Sequence, residues 1–394
     1  MEAVAEQLPD FDLTDDDLRR RGDKKWRDCP PDAIPAWLAE MDVAPAPVIV
    51  AALREAVEAG LVGYPTLTGS ALPEALSGWL HRNFGWRAEP GNVVLAGDAV
   101  VGVALAIEAL CADAPVVVPV PCYPPFVAAL PRVGRQIVGV PCSLDGDRYV
   151  LDLDVVEAEL AAGARTILLT NPHNPLGRSW SRAELTALRQ AADRYGARVV
   201  SDEIHAPLVL PGAVHVPYAT IDPDRHITVI AASKAWNIPG LKCAQVITGS
   251  AAEAAGLRAL PRAANRGVSS LGVAAAVAAY RDGDPWRTGL VAYLHQRREQ
   301  FGRLLASHMP HVTWHPGEAT YLAWVEPPGQ PDPAAAALHK GSVLLDAGTA
   351  YGPPPGTAPG GTRIPGYDTS VRVNIGTSAE RLERIVLGLA RAWT

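Results

Sequence analysis

Thr170-Asn171-Pro172-His173-Asn174-Pro175, Ser201-Asp202-Glu203-Ile204-His205 and Ser233-Lys234-Ala235-Trp236-Asn237 are three short polar clusters in the stretch from Asn171 to Lys242. Each closes an apolar run that reads as a buried strand: Arg165 to Leu169, Arg198 to Val200, and Ile227 to Ala231. Short runs rich in β-branched residues and bounded by turn residues favour strands. Helical patterns fill the gaps between them, and strands alternating with helices make βαβ crossovers and a mostly parallel sheet. In such a sheet the ligand crevice lies beyond the carboxyl ends of the strands. The amide of Asn174, the carboxylate of Asp202 and the amine of Lys234 are therefore expected to face one ligand.

Outward from this stretch the alternation continues. Strands are expected near 93–96, 115–120, 136–141, 166–170, 198–201, 227–232 and 244–248, with helices between most of them, such as Ala99 to Cys111. The helix from Ser181 to Tyr195 opens with a capping box, Ser181 followed three residues later by Glu184. The fold class is α/β: a large domain with a seven-stranded, mostly parallel sheet, plus a smaller α+β domain. Ahead of the sheet stand an arm with a short helix at Thr14 to Arg21, a helix in Asp42 to Gly60 with a proline start and glycine stop, the turn Gly63-Tyr64-Pro65, and a helix from Leu72 to Phe84. After Gly249 helices dominate, including a long one from Trp286 to His308. Short strands return at 312–314, 321–325 and 371–375, and a helix from Ser378 to Trp393 closes the chain. The expected division is an arm at 1–45 that joins the small domain, a large domain at 46–285 and a small domain at 286–394. The Pro/Gly-rich segments 326–333 and 352–361 read as loops.

Composition narrows the function. The chain has 394 residues, 48% hydrophobic and 20% charged, with a net charge of −7. That is enough to bury a large core and offers no basic face for nucleic acid or anionic lipid, so a small-molecule substrate is expected. Five cysteines are scattered singly, with no metal-ligand spacing, which suits an intracellular protein without structural disulfides or zinc. The amino terminus lacks a basic-then-apolar leader pattern. The longest uncharged apolar run, Leu271 to Tyr280, is too short to span a bilayer and reads as a buried Ala-rich helix. A cytoplasmic location follows as the expectation.

Lysine is scarce: Lys24, Lys25, Lys234, Lys242 and Lys340 are the whole set, and only Lys234 follows a buried strand. Desolvation there lowers an amine's pKa and leaves more of it free to act as a nucleophile. Each element also has a plainer reading: Lys234 as a solvent-facing lysine, Asp202 as a turn or cap carboxylate, the two Asn-Pro pairs as turns. All three plain readings would have to hold together, one βα unit apart. A pyridine cofactor held through an imine asks for this set: an amine for its carbonyl, an anion for its ring nitrogen and a donor for its phenolic oxygen.

At these residues the chain resembles the fold-type I pyridoxal phosphate (PLP) enzymes of the class I/II aminotransferase superfamily. The resemblance rests on Asn171-Pro-His-Asn-Pro-Leu-Gly177, Ser201-Asp-Glu-Ile-His-Ala206 and Ser233-Lys-Ala-Trp-Asn-Ile-Pro-Gly-Leu-Lys242. Ile34-Pro-Ala-Trp-Leu-Ala-Glu-Met-Asp42, Gly63-Tyr64 and Pro121-Cys-Tyr-Pro-Pro-Phe126 make it most similar to the cystathionine β-lyase (C–S β-lyase) branch, that of MalY and PatB. The resemblance spans about residues 24 to 390. It implies that Lys234 carries the cofactor and shuttles the Cα proton, that Asp202 pairs with the pyridinium, and that Asn174 and His205 bond the phenolic oxygen. Tyr123 would stack on the ring. The phosphate would rest at the helix start around Asp98, Ala99 and Val100, with Ser233 and Lys242 adding contacts. Tyr64 would reach it from a neighbouring subunit in a homodimer with shared active sites. Arg372 would grip the substrate carboxylate, with Trp37 and Tyr123 also on the substrate side. No metal is implied.

Two departures stand out. The phosphate loop reads Ala96-Gly97-Asp98-Ala99-Val100, where the branch has a hydroxyl residue first and glycine in place of Asp98; an acid beside a phosphate is unfavourable unless it points away. The segment from Gly352 to Ser370 is longer and richer in proline than usual, which raises the suspicion of a changed substrate. The resemblance implies β-elimination from an L-cysteine S-conjugate. The alternatives are transamination, decarboxylation coupled to oxidative deamination as in lincosamide-type antibiotic biosynthesis, and, from another class, a PLP-binding regulatory protein.

Overall fold

The structure is a computed structural model and describes residues 11–260, 267–353 and 356–394. The first ten residues of the expected arm and two of the Pro-rich loop lie outside the described residues.

The central sheet has eight strands: β1 (Val93–Ala96), β2 (Val116–Val120), β3 (Ile137–Asp145), β4 (Arg148–Leu151), β5 (Thr166–Thr170), β6 (Arg198–Asp202), β7 (Ile227–Ile230) and β8 (Ala244–Thr248). Their order is β1-β8-β7-β6-β5-β2-β3-β4. The run β7-β6-β5-β2-β3 is parallel, while β8 is antiparallel to both its neighbours and β4 folds back on β3. The sheet therefore has one strand more than the seven expected. β3 continues past residue 141 and returns as β4 around Gly146, whose φ is +60°. The reason lies in burial: Asp145 to Arg148 are exposed and polar, so the hairpin tip carries no apolar alternation to reveal it.

The central strands are buried on both faces, and their side chains divide with a period of two. Val116 and Val118 pack with Val94, Leu168, Val200, Val229 and Val246 under the helix Ala99–Leu110. Val117 and Val140 face the other way with Ile167, Leu169 and Val199, against the helices Leu153–Ala161 and Arg182–Arg194. Gly102 lets the first of these helices sit close to the sheet: a Cβ there would lie 3.1 Å from Val246 and 3.2 Å from Val229. Its amino terminus is thus set against the end of the sheet, as is each of the three polar clusters.

The carboxyl-terminal part forms a four-stranded antiparallel sheet in the order Thr313–Trp314, Leu322–Glu326, Val371–Asn374, Asp346–Ala347. Helices Pro333–Gly341 and Ala379–Trp393 pack together beside it. The arm joins this part: the helix Asp15–Arg21 is capped by Thr14, Asp15 pairs with Arg381 at 2.6 Å and Arg384 at 3.1 Å, and Ile34–Pro35 pairs with Val343–Leu344. One apolar cluster reaches from Phe11 through Trp79, Trp236 and Tyr280 to Trp393. Among the described residues no helix is long and apolar enough to cross a membrane.

Candidate active site

At the carboxyl ends of β2, β5, β6 and β7 lies a cavity of about 140 Å³. Ten of the residues singled out from the sequence line it: Asp98, Ala99 and Val100 at one end, Tyr123 on one wall, and Asn174, Asp202, His205, Ser233, Lys234 and Lys242 around the rest. Phe126, Ile204, Pro239 and Cys243 complete the lining; nothing polar marked them in the sequence, since they supply only shape.

The Lys234 Nζ donates to the Ala39 carbonyl at 3.0 Å. Burial lowers its pKa to about 8, and the nearby Arg372 guanidinium pushes the same way. Asp202 ends β6 and accepts from the Ile204 N–H at 3.2 Å. Burial raises its carboxyl to about 7, with Glu203 adding to the rise; among the described residues no cation lies within ion-pair distance of it. His205 is buried and its Nδ1 has no hydrogen-bond partner. Burial, together with Lys234 and Arg372, lowers the imidazole pKa to about 3, so it is neutral at physiological pH.

At the other end, Asp98 N-caps the helix Ala99–Leu110 by accepting from the Val101 N–H at 2.9 Å, and its second oxygen meets Lys242 Nζ at 2.8 Å. Burial alone would raise this carboxyl, but the lysine and the helix N–H groups outweigh it and hold it below the usual range. The acid thus does not turn away from the helix start; Lys242 neutralises it there. Tyr123 meets Phe126 edge-on at 5.6 Å between ring centres.

Three of the named residues lie apart from this lining. Arg372 is 2% exposed; Nη2 donates to Asp346 Oδ2 at 2.7 Å and to the Trp37 carbonyl at 2.9 Å, and Nη1 reaches Asn174 Oδ1 at 3.4 Å. Its Nε is buried without a partner. The ring of Trp37 points elsewhere, donating to the Lys25 carbonyl at 3.0 Å. Tyr64 is fully exposed and lines a separate surface hollow of about 400 Å³ with Leu61, Val62 and Ser269. Asp346 went unnoticed in the sequence, although its register opposite Arg372 makes it that residue's anionic partner. A charged residue inside the apolar run 343–347 was the available signal. Tyr351, whose ring lies 5.4 Å from the Arg372 guanidinium, was missed as well.

Among those described, the residues from 352 to 370 do not line the cavity, although Tyr367 packs on the same apolar cluster as Tyr123 and Phe126. They form a hairpin, Gly356–Thr357 with Arg363–Ile364, that docks on the sheet face: Ala358 and Ile364 pack on Val138, and the Gly360 N–H donates to Glu159 Oε2 at 2.9 Å.

The donor set fits pyridoxal phosphate: a desolvated amine, a buried carboxylate lacking a cation, an unpartnered buried imidazole nitrogen and a helix amino terminus, all around one cavity. Fold and site together define a PLP enzyme of fold type I. The chain belongs to the class I and II aminotransferases, whose family model matches residues 39–389. It is 34% identical over 376 residues to cystathionine β-lyase of Corynebacterium glutamicum, covering 93% of this chain and 96% of that protein. To the cystathionine β-lyase PatB of Bacillus subtilis it is 33% identical over 362 residues, 89% of this chain and 90% of the relative. Among solved structures it is similar to a chain of Corynebacterium diphtheriae assigned as a PLP-dependent β-cystathionase, with a TM-score of 0.88, 34% identity and coverage of 97% and 98%.

Proposed function

We propose that this protein, a PLP-dependent carbon–sulfur lyase, cleaves the Cβ–S bond of an L-cysteine thioether such as cystathionine to release a thiol, pyruvate and ammonia. What supports the reading is the buried amine of Lys234 in the cavity and the Arg372 guanidinium, whose Nη1 reaches Asn174 of the same lining at 3.4 Å, in a chain that matches two cystathionine β-lyases over at least 90% of their length.

When bound, PLP supplies an electron sink for the charge left at Cα. Lys234, with its pKa near 8, is the group that carries the cofactor and removes the Cα proton. Loss of that proton drives the electron pair toward Cβ; the C–S bond breaks and the thiolate leaves with its electrons. The enamine remainder takes up a proton and one water to give pyruvate and ammonia. Asp202 would hold the pyridine nitrogen in its protonated form. His205, neutral and with Nδ1 unpartnered, and Asn174 would hold the cofactor's phenolic oxygen, and Tyr123 would stack on its ring. The first turn at Asp98, Ala99 and Val100, with Ser233 and Lys242, would receive the phosphate. Arg372 holds the α-carboxylate, and Trp37 takes part through its carbonyl, which orients the fork.

We further infer a homodimer. Leu61, Val62 and Tyr64 are exposed around an open hollow and Leu67 is exposed three residues on, and an apolar strip of this kind marks an interaction surface. In a dimer Tyr64 would serve the phosphate end of the second copy's site.

The test is to supply purified, PLP-loaded protein with cystathionine and several S-alkyl-L-cysteines and to assay pyruvate, thiol, aldehyde, carbon dioxide and keto-acid consumption together. Stoichiometric pyruvate and thiol support the lyase. Keto-acid consumption points to transamination, and aldehyde with carbon dioxide to oxidative decarboxylation. A biological role that survives Lys234→Ala would point to a regulatory protein.

A further inference from the structure

The segment Trp37–Asp42 runs across the site, and its main chain is almost wholly occupied by side chains, Lys234 and Arg372 among them. The Trp37 carbonyl accepts from Arg372 at 2.9 Å, and the Leu38 and Glu40 carbonyls both accept from Asn374 Nδ2 at 2.6 Å. The Ala39 carbonyl accepts from both Lys234 Nζ and the Tyr321 hydroxyl, each at 3.0 Å. Asn237 takes Met41 by both groups, its Oδ1 accepting from the N–H at 2.9 Å and its Nδ2 donating to the carbonyl at 2.8 Å. One strap, bent at Leu38 and Ala39 where the Glu40 N–H donates to the Leu38 carbonyl at 2.8 Å, thus sets the spacing between the amine and the guanidinium.

What fixes the strap is at its far end. Asp42 is 1% exposed and forms an ion pair with Lys25, also 1% exposed, at 2.9 Å. Its other oxygen accepts from Trp26 Nε1 at 2.7 Å, and its N–H donates to the Gly376 carbonyl at 2.9 Å. Arg381 stands 3.9 Å away and stacks on Trp26, and the Lys25 N–H donates to Glu40 Oε2 at 3.3 Å. A buried ion pair contributes little net stability, because desolvation offsets the attraction, yet it admits few alternative geometries. Here it stands beside a strap that must be placed within a fraction of an ångström.

We propose that Lys25 and Asp42 are positioning residues: their buried pair locks the strap Trp37–Asp42, whose carbonyls hold Lys234 and Arg372 at one fixed separation, so that carboxylate capture and Cα proton removal rely on the same anchor. The proposal rests on the reading of Lys234 as the base and Arg372 as the carboxylate fork. It touches neither substrate nor cofactor directly; both residues act through the strap.

The test uses the full-length, PLP-loaded protein and the double variant Lys25→Met/Asp42→Asn, which removes both charges and strands neither, beside Lys25→Met alone and Lys25→Arg. Two quantities are read. One is hydrogen–deuterium exchange of the amides of 37–42. The other is the kcat and KM per PLP-loaded site for exchange of the Cα hydrogen of L-alanine into deuterium oxide, an amino acid with no leaving group at Cβ. The expected result is faster strap exchange, with kcat lowered and KM raised together by about tenfold each, since displacements near 1 Å cost up to about 100-fold, and partial recovery of both in Lys25→Arg. Faster strap exchange with unchanged kcat and KM per loaded site would reduce the pair to a stability element and overturn the proposal, as would a change in only one of the two constants. Because alanine exchange needs no C–S cleavage, wild-type protein that exchanges alanine but releases no pyruvate from thioethers defeats the lyase reading and leaves this one tested.

Discussion

At the residue scale, the strongest expectations concern charges placed out of water. Lys234→Ala is expected to abolish pyruvate release and the lysine-linked cofactor absorbance, because no other lysine lines the cavity except Lys242, which is paired with Asp98. Asp202 carries a folded-state pKa of about 7 against an ordinary 3.8. The folded, cofactor-free protein therefore binds a proton there more tightly than the unfolded chain, and this contribution is fully present at low pH and lost as pH rises from about 4 through 7. Replacing the charge should give the cofactor-free Asp202→Asn variant extra stability at pH 8, about 4 kcal/mol at most, vanishing near pH 4. Thermal unfolding at the two pH values reads this, and PLP titration should show affinity weakened roughly tenfold or more. Lys234 has the opposite sense: its folded pKa is depressed to about 8, so its share of stability is lost as pH falls from about 10.5 through 8. For Arg372→Lys the fork is replaced by a point charge, and kcat/KM for a cysteine thioether should fall roughly 100-fold with Asp346 left in place. Much of this residue layer was legible from sequence, because strand ends in a parallel sheet collect polar groups by topology. Asp346 had one signal, its charge inside the apolar run 343–347, but a two-residue strand has no period to pair it with Arg372, and the strap carbonyls had none, since a main-chain oxygen leaves no mark in a sequence.

At the scale of elements, boundaries followed the sequence wherever caps and periodicity agreed. Leu72–Phe84 ends at Gly85 in the left-handed region, and Ser181 with Glu184 forms both bonds of a capping box. Ser181→Ala should cost about 1 kcal/mol in denaturant unfolding, with no change in cofactor binding. The hairpin of β3 and β4 escaped because its tip is polar and its paired residues only half-buried. In the carboxyl-terminal part, Gly341 and Gly388 bring two helices into close approach: a Cβ on Gly388 would lie 2.5 Å from the Gly341 carbonyl and 2.7 Å from Val343. Gly388→Ala is thus expected to destabilise the chain by about 1–3 kcal/mol through overpacking, read as a lowered thermal midpoint. The proline-rich insertion, which from sequence raised the prospect of an altered substrate, docks through Ala358 and Ile364 on Val138 and through Gly360 on Glu159, and none of its described residues lines the cavity.

For the whole molecule, the exposed strip from Leu61 to Leu67 is the feature a single chain leaves unexplained. Sedimentation should give the mass of two chains, and Val62→Asp, which puts a charge on that strip, should shift the equilibrium toward the monomer and weaken PLP retention together. If the charged variant stays dimeric with full cofactor content, the strip is not the interface. The arm and the carboxyl-terminal helix are joined through Asp15, Arg381 and Arg384, so the two ends of the described chain are braced against one another.

That bracing, with the strap at Trp37–Asp42, sets a timetable for the protein's own birth. The carbonyls that receive Lys234 come from residue 39, while the arginine and asparagine gripping the same strap stand at 372 and 374. A nascent chain can hold every strand of the eight-stranded sheet and the cap at Asp98 once synthesis has passed Thr248, yet the residues that clamp the strap come more than a hundred positions later. Competence to turn over substrate is therefore expected only once Arg372 and Asn374 have been made, so a chain cut ahead of Val371 should keep a folded sheet without a working site.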